Sequence, residues 1–374
     1  MSKIMFMVGE TSGDTLAVEL FKAMQSEGMD VNAFGAGGPK MKEAGIDLKI
    51  DLSEHAVIGI WEAIRNYKKF KGFFDQLLSL ALKEKPEAII CIDNPGFNLR
   101  FVRAIRKATA DSDWDPKIIY YISPQLWAWH SSRVRQISED VDLLLSIFPF
   151  EKAWYAKHAP GFPVDFVGHP LCDRYPDLEF SDPKIIHEPR RLLLLPGSRS
   201  KELSRHLPVM VEAAKAVEAE PLIVLPNESL AAQARLLIPE VADWDIQVGD
   251  VEKALSRADV AIASSGTVTL ECAWFRVPTV VLYKTSWITY LLGRLFIRVK
   301  HIAMPNVMAE REVFPEFIQS DATGKNLARQ VDNFLDDSQR RIELREQLDV
   351  IADSLGAKGA AIRAAKSINH ILGN

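Results

Sequence analysis

Short apolar runs alternate with longer helix-period segments from the first residue to about residue 335, and few folds accommodate that rhythm. A strand covered on both faces by crossover helices reads as an unbroken apolar run rather than as alternating polar and apolar positions. Ile4–Val8, Val31–Phe34, Ala88–Ile92, Ile118–Ile122, Leu143–Ile147 and Val164–Val167 are runs of this kind. A polar, proline-bearing stretch from Asp173 to Pro189 interrupts the pattern and reads as a linker. The rhythm then restarts with Leu192–Leu195, Leu222–Leu225, Ile246–Val248, Val260–Ala263 and Thr279–Leu282. Helical segments such as His206–Val217 and Val251–Ala258 lie between these runs, and only helical periodicity follows Asp321.

The expected fold class is therefore α/β, with two Rossmann-like, doubly wound domains facing a cleft and C-terminal helices. The boundaries expected are an N-terminal domain over 1–172, a linker over 173–190 and a second domain over 191–345. Residues 346–374 form the C-terminal helices, of which Ala357–Leu372 is expected to cross back onto the first domain. A chain of 374 residues is long enough to bury two cores.

Hydrophobic residues make up 48% and charged residues 25%, which excludes a disordered chain. With 45 basic against 50 acidic residues the net charge is -5, so the chain is no general nucleic-acid binder. The apolar run before Gly9 is too short for a signal-peptide core, and no apolar stretch reaches the roughly 18 residues of a membrane span. A cytoplasmic protein is expected. Cys91, Cys172 and Cys272 show no CxxC spacing and read as small core residues in a reducing compartment.

Five loops carry chemistry-bearing residues. Gly9-Glu-Thr-Ser-Gly-Asp14 follows the first strand and opens a helix, with Ser12 or Asp14 available as its cap. It lacks GxGxxG spacing, and Glu10 would repel a pyrophosphate, so the loop suits sugar hydroxyls better. Asp93, in Cys91-Ile-Asp-Asn-Pro-Gly-Phe-Asn98, emerges at the end of an apolar strand, where burial raises a carboxylate's pKa toward that of a general base. An Asx turn at Asp93-Asn94 is the structural alternative. Tyr121-Ile-Ser-Pro-Gln-Leu-Trp-Ala-Trp-His130, with Arg133 and Arg135 beyond it, offers rings for a sugar or acyl chain and guanidiniums for a phosphate. Core packing by Trp127 and Trp129 is the competing reading.

In the second half, Leu195-Pro-Gly-Ser-Arg199 lies between a strand and a helix, where Gly197, Ser198 and Arg199 can cradle a diphosphate. Ser264-Ser-Gly-Thr-Val-Thr-Leu-Glu271 repeats the logic, and Glu271, on the helical face of Thr267, can accept from ribose hydroxyls. Metal signals are weak: Asp111-Ser-Asp113-Trp-Asp115 precedes a strand instead of following one and reads as solvated loop charge. The histidines show no HxxxH or HxH pairing, and His169 reads as structural. Trp61–Phe74 and Trp287–Ile302 mix basic with large apolar residues, as segments do that lie on an anionic membrane or hold acyl chains.

The order of the motifs resembles that of the lipid-A-disaccharide synthases over nearly the whole chain. The resemblance rests on GETSGD (9–14), AVIGIWE (56–62), IDNPGFN (92–98), YYISPQLWAW (120–129), FPFE (148–151), VGHPL (167–171), LPGSR (195–199), SSGTVTLE (264–271) and MPN (304–306). It implies a metal-independent, inverting UDP-sugar transferase of the GT-B fold that needs no cofactor. Such enzymes move 2,3-diacylglucosamine from UDP onto the 6-hydroxyl of 2,3-diacylglucosamine 1-phosphate. The functional positions it implies are Glu10, Asp93, Arg199 and Asn306, with Glu10 and Asp93 both open as the base. Gly197, Ser198, Ser265, Gly266, Thr267 and Glu271 are implied around UDP, and Ser12, Asn98, Trp127, Arg133 and Arg135 around the acceptor and lipid. Peripheral attachment to the inner membrane and homodimers exchanging C-terminal parts are also implied. Gly96 and His130 depart from the Asp and Arg common in the family. The rival readings are a UDP-sugar epimerase or hydrolase of the same fold and a non-catalytic UDP-lipid binder.

Overall fold

The computed structural model describes residues 2–52, 67–129, 131–175, 182–296 and 299–373. The chain divides into two units, one of Met1–Arg174 with Leu355–Asn374 and one of Tyr175–Ser354. In the first unit, β1 (Ser2–Val8), β2 (Val31–Gly37), β3 (Asp47–Asp51), β4 (Ala88–Ile92), β5 (Lys117–Tyr121), β6 (Leu143–Ser146) and β7 (Val164–Phe166) form one sheet. Its order is β3-β2-β1-β4-β5-β6-β7, every pairing parallel. Each residue of β4 is buried, as a strand sandwiched between helices requires. On one face, Met5, Met7, Ile89, Cys91, Ile118 and Tyr120 meet Leu77 and Ala81 of the helix Tyr67–Glu84 and Phe101, Val102 and Ile105 of the helix Pro95–Thr109. Full burial stabilises by about 1.5–3 kcal/mol per large apolar side chain.

The helix Ala360–Ile371 belongs to this unit and lies against the helix Thr11–Ser26. Asp173 receives its first amide, Ala360 N, at 3.0 Å, and Arg363 Nε donates to Val167 O at 2.7 Å.

The second unit repeats the architecture. Here β8 (Arg191–Leu195), β9 (Glu220–Leu225), β10 (Asp245–Val248), β11 (Val260–Ser264), β12 (Thr279–Tyr283) and β13 (Glu316–Ile318) pair in parallel in the order β10-β9-β8-β11-β12-β13. Two strands, β3 and β13, escape the sequence pattern. Both lie at sheet edges; Asp-Leu-Lys-Ile-Asp alternates polar with apolar, and Glu-Phe-Ile is only three residues long.

In each sheet the order reverses beside the first strand of the unit, between β1 and β4 and between β8 and β11. At such a switch the two flanking crossovers leave on opposite faces, so the loops at the strands' carboxyl ends enclose a crevice. Gly9–Asp14 and Asp93–Asn98 follow β1 and β4; Pro196–Arg199 and Ser265–Thr267 follow β8 and β11. Topology thus selects these four loops out of the whole chain. Among the described residues, no helix is long and apolar enough to cross a membrane.

Candidate active site

In the first unit, β4 ends in a reversal of backbone hand. Asp93 and Asn94 take φ of 49° and 45°, and Ile122, just past β5, takes 69°. Non-glycine residues rarely occupy this region, and a β-branched one at positive φ is an outlier. The surroundings enforce it. Asp93 N donates to Tyr121 O at 3.1 Å, while Asp93 O accepts from Tyr120 Oη at 2.6 Å and Asn98 Nδ2 at 2.8 Å. Asn98 Nδ2 also lies 3.2 Å from Met7 O and 3.3 Å from Ile92 O, so one buried amide ties the ends of β1 and β4. The Asn98 Nδ2 group is thus engaged with backbone carbonyls at the ends of β1 and β4.

Strain of this sort, of order 1–3 kcal/mol per residue, persists only where packing over-determines it. Here it aims a carboxyl group. Burial pushes the Asp93 carboxyl above the usual carboxylate range, the charge of Glu10 adds to the rise, and the Asn94 amide partly offsets it. Glu10 is exposed at the start of the helix Thr11–Ser26 and does not cap it with its side chain. Gly9 makes the approach of the two loops feasible, because a Cβ there would run into the Asn94 side-chain amide. Ser12, the second residue of the helix Thr11–Ser26, is exposed. Asp14, expected as a cap for its own helix, instead accepts from Gly38 N, Lys40 N and Met41 N at 3.0–3.1 Å. It caps the neighbouring helix Pro39–Glu43, whose fixed proline already removes one donor.

The aromatic segment after β5 is anchored from below. Trp127 Nε1 donates to Glu151 Oε1 at 3.1 Å, and its ring meets Phe150 edge-on at 5.0 Å between centroids. Glu151 is wholly buried and also receives Phe148 N at 3.3 Å; burial pushes its carboxyl up to about 7. Phe148 stacks on Phe150 and touches His169, whose burial lowers its pKa to about 4. The FPFE and VGHPL motifs are thus the footing of the Trp127 loop. Trp129 is 47% exposed. Arg135, with a side chain 85% exposed, pairs with Glu139 at 2.7 Å one helical turn away, which makes it a surface ion pair. Arg133 ends a short 3-10 turn, Ser131–Arg133, and is partly buried. His130 and the 56–62 motif lie outside the described residues. Asp115 is engaged by Arg106 at 2.8 Å, as solvated loop charge would be.

In the second unit, Gly197 takes φ of 114°, which its lack of a Cβ permits. The turn presents Ser198 N and the Arg199 guanidinium at the start of the helix Ser200–Lys215. Both are held by one carboxylate, Glu202, at 3.2 Å each. Behind the turn, buried His206 donates from Nδ1 to Pro196 O at 2.8 Å and accepts Lys284 N on Nε2 at 3.1 Å. Nε2 also lies 3.2 Å from Lys284 O, and burial lowers the His206 pKa, which favours the neutral ring and Nε2 as the acceptor.

Across the switch point, Ser265 Oγ donates to Ile302 O at 2.9 Å, Thr267 precedes the helix Val268–Trp274, and Glu271 accepts from Tyr175 Oη at 3.1 Å. Gly266 O takes Thr269 Oγ1 at 2.8 Å. Asn306 lies beneath the strip that holds Ser265. It is fully buried; Oδ1 accepts Val313 N and Phe314 N, and Nδ2 donates to Phe314 O and Glu316 Oε1, all at 2.7–2.9 Å. Both amide protons and both lone pairs are in use. Glu316 in turn receives Ile302 N and Ala303 N, so Asn306 and Glu316 fix the strip that holds Ser265. His206, Glu202 and Glu316 carried no recognisable spacing in the sequence; only the Glu at the fourth position of FPFE had a helix-start signature.

Two parallel sheets with one strand order, each opening its switch-point loops, define a two-domain α/β protein of the GT-B glycosyltransferase fold. Solved structures agree: Acinetobacter baumannii MurG matches with a TM-score of 0.56 at 16% identity, over 99% of this chain and 100% of its own. The calicheamicin glycosyltransferase CalG4 matches with a TM-score of 0.60 at 15% identity, over 100% and 99%. Sequence is more specific. The family model for lipid-A-disaccharide synthetase matches residues 4–367, and the chain belongs to that family. The lipid-A-disaccharide synthase of Geobacter sulfurreducens is 36% identical over 382 residues, covering 99% of this chain and 97% of the relative.

Proposed function

We propose that this chain is an inverting, metal-independent glycosyltransferase that moves 2,3-diacylglucosamine from UDP to the 6-hydroxyl of 2,3-diacylglucosamine 1-phosphate. The products are the β-1,6-linked disaccharide 1-phosphate and UDP. The observation that carries the reading is Asp93: a half-buried carboxyl held by a left-handed backbone and raised in pKa by desolvation and Glu10. A general base works best when its pKa approaches the working pH. Asp93 takes the proton from the acceptor hydroxyl as that oxygen bonds to the anomeric carbon, and the bond to the diphosphate breaks on the opposite face. Glu10 keeps Asp93 basic and accepts from sugar hydroxyls. In the second unit, Ser198 N, Arg199 and the amino end of the helix Ser200–Lys215 take the negative charge that grows on the diphosphate. Ser265, Gly266, Thr267 and Glu271 hold the uridine side, and Asn306 positions Ser265 through the Glu316 strip.

The lipid part of the reading is supported by two exposed faces. The helix Tyr67–Glu84 presents exposed Lys68, Lys69 and Lys71 beside half-buried Phe70, while Phe73 and Phe74 pack against the core. The helix Trp287–Phe296 exposes Trp287 and Leu291, four residues apart and so on one side. We assign both to acyl chains and to peripheral contact with the inner membrane.

The test is turnover of UDP-2,3-diacylglucosamine with and without the monosaccharide 1-phosphate, in chelator. Acceptor-dependent disaccharide and stoichiometric UDP are expected. UDP released equally without acceptor would replace the transferase with a hydrolase or epimerase, and loss of turnover in chelator would end the metal-independent mechanism.

A further inference from the structure

The loop assigned to the donor diphosphate already contains an anion of its own. Glu202 lies in the first turn of the helix Ser200–Lys215 and folds back over its start. Oε2 accepts from Ser198 N at 3.2 Å, Oε1 accepts from Arg199 Nη1 at 3.2 Å, and the carboxylate lies directly against Gly197. The amide and guanidinium that a diphosphate would use are therefore the ones that Glu202 engages. The helix has no side-chain cap at Arg199, so Glu202 is also the carboxylate that meets the positive end of its dipole.

We propose that Glu202 is an internal stand-in for the diphosphate: it holds the loop in its binding shape when the donor is absent and is displaced when the donor arrives. The inference rests on the proposed placement of the diphosphate in this loop. Its consequence is a tuned, weakened affinity. A carboxylate pushed aside but still within about 4–6 Å of a diphosphate opposes it electrostatically, and Arg199 must exchange one anion for another. UDP binds less tightly than the loop alone would allow, and product release is faster. Glu202 positions the loop and sets affinity; it does not touch the reacting atoms.

Isothermal titration of UDP into wild type, Glu202→Gln and Arg199→Ala tests this, with product inhibition by UDP measured in parallel. Glutamine keeps an acceptor for Ser198 N but removes the charge. The expected result is a Kd and an inhibition constant for UDP lowered roughly five- to tenfold in Glu202→Gln, the size of one such repulsion. Turnover limited by UDP release would fall while KM for the donor falls with it. In Arg199→Ala, UDP should bind tenfold or more weakly. A Glu202→Gln enzyme that binds UDP equally or more weakly, with Arg199→Ala impaired, makes Glu202 a structural brace and overturns the proposal alone. If neither variant alters UDP binding, the diphosphate is not in this loop and the underlying reading falls too. Glu202→Ala must shift UDP in the same direction as Glu202→Gln, so poor folding of one variant does not remove the test.

Discussion

The two units share one strand order but hold their switch-point loops by opposite means. In the first, Asp93 and Asn94 carry the cost of left-handed backbone without glycine, locked by Tyr120, Asn98 and the ends of β1 and β4. In the second, the Pro196–Arg199 turn places its positive φ on Gly197, and side-chain knots around His206 and Asn306 do the fixing from behind. A strained, half-buried carboxyl suits proton transfer, where a small displacement is expensive. A glycine turn whose Ser198 amide and Arg199 guanidinium rest on a side-chain carboxylate suits a ligand that enters and leaves.

The sharpest way to break this contrast is to remove the charge in the strained loop and ask whether the relaxed one notices. Asp93→Asn preserves shape, so disaccharide formation should fall by on the order of 100- to 10,000-fold, the usual contribution of a general base. UDP binding by titration should stay within about twofold of wild type. A variant with near-full turnover would return Asp93 to the role of an Asx-turn residue, and one that lost UDP binding would abolish the division of labour between the units.

Legibility of the sequence follows from the same contrast. The central strands were readable because burial on both faces demands unbroken apolar runs, and Ala88–Ile92 has no exposed residue. Edge strands β3 and β13 were not, since one open side removes that demand. Loops were readable wherever glycine and proline forced a turn after a strand, as at Gly9 and Gly197. The partners of polar side chains were not. Asp14 caps a helix that begins 25 residues later, Asn98 binds a carbonyl 91 positions away, and His206 links Pro196 to Lys284. Such pairings are set by topology, and a polar residue at a loop has no local signal that separates a ligand contact from a buried knot. Asn98 and Asn306, expected at the site, each make several internal hydrogen bonds that no local pattern announces.

The side-chain knots of the second unit predict an effect of intermediate size. Asn306→Ala leaves Val313 N, Phe314 N and Phe314 O without partners in a dry site, a loss of about 3 kcal/mol or more. For a domain of this size that corresponds to a thermal midpoint lower by roughly 6–12 °C. Activity at low temperature should be reduced mainly through a higher KM for the donor, because Ser265 loses the Ile302 strip. A midpoint unchanged with turnover abolished would instead make Asn306 a direct contact, with the knot rearranging when the donor binds.

The smallest effect is a pH slope, and it belongs to the first unit. Glu151 is pushed up to about 7 in the folded protein against an ordinary value of 4.5. The folded state therefore retains a proton that the unfolded chain has lost. The stability tied to the neutral carboxyl is complete below about pH 4.5 and disappears as pH rises through 7. His169 works in the other direction: lowered to about 4, it favours the fold above its ordinary 6.5 and costs stability as pH falls toward 4. Glu151→Gln separates the two. Glutamine accepts from either Trp127 Nε1 or Phe148 N but cannot ionise, so the variant should melt below wild type at pH 5 and close the gap by pH 8. Trp127 fluorescence should follow the same curve in wild type and lose it in the variant. A gap that stays constant from pH 5 to 8 would mean that Glu151 is ionised throughout, and the footing of the Trp127 loop would then be a buried charge held by amides.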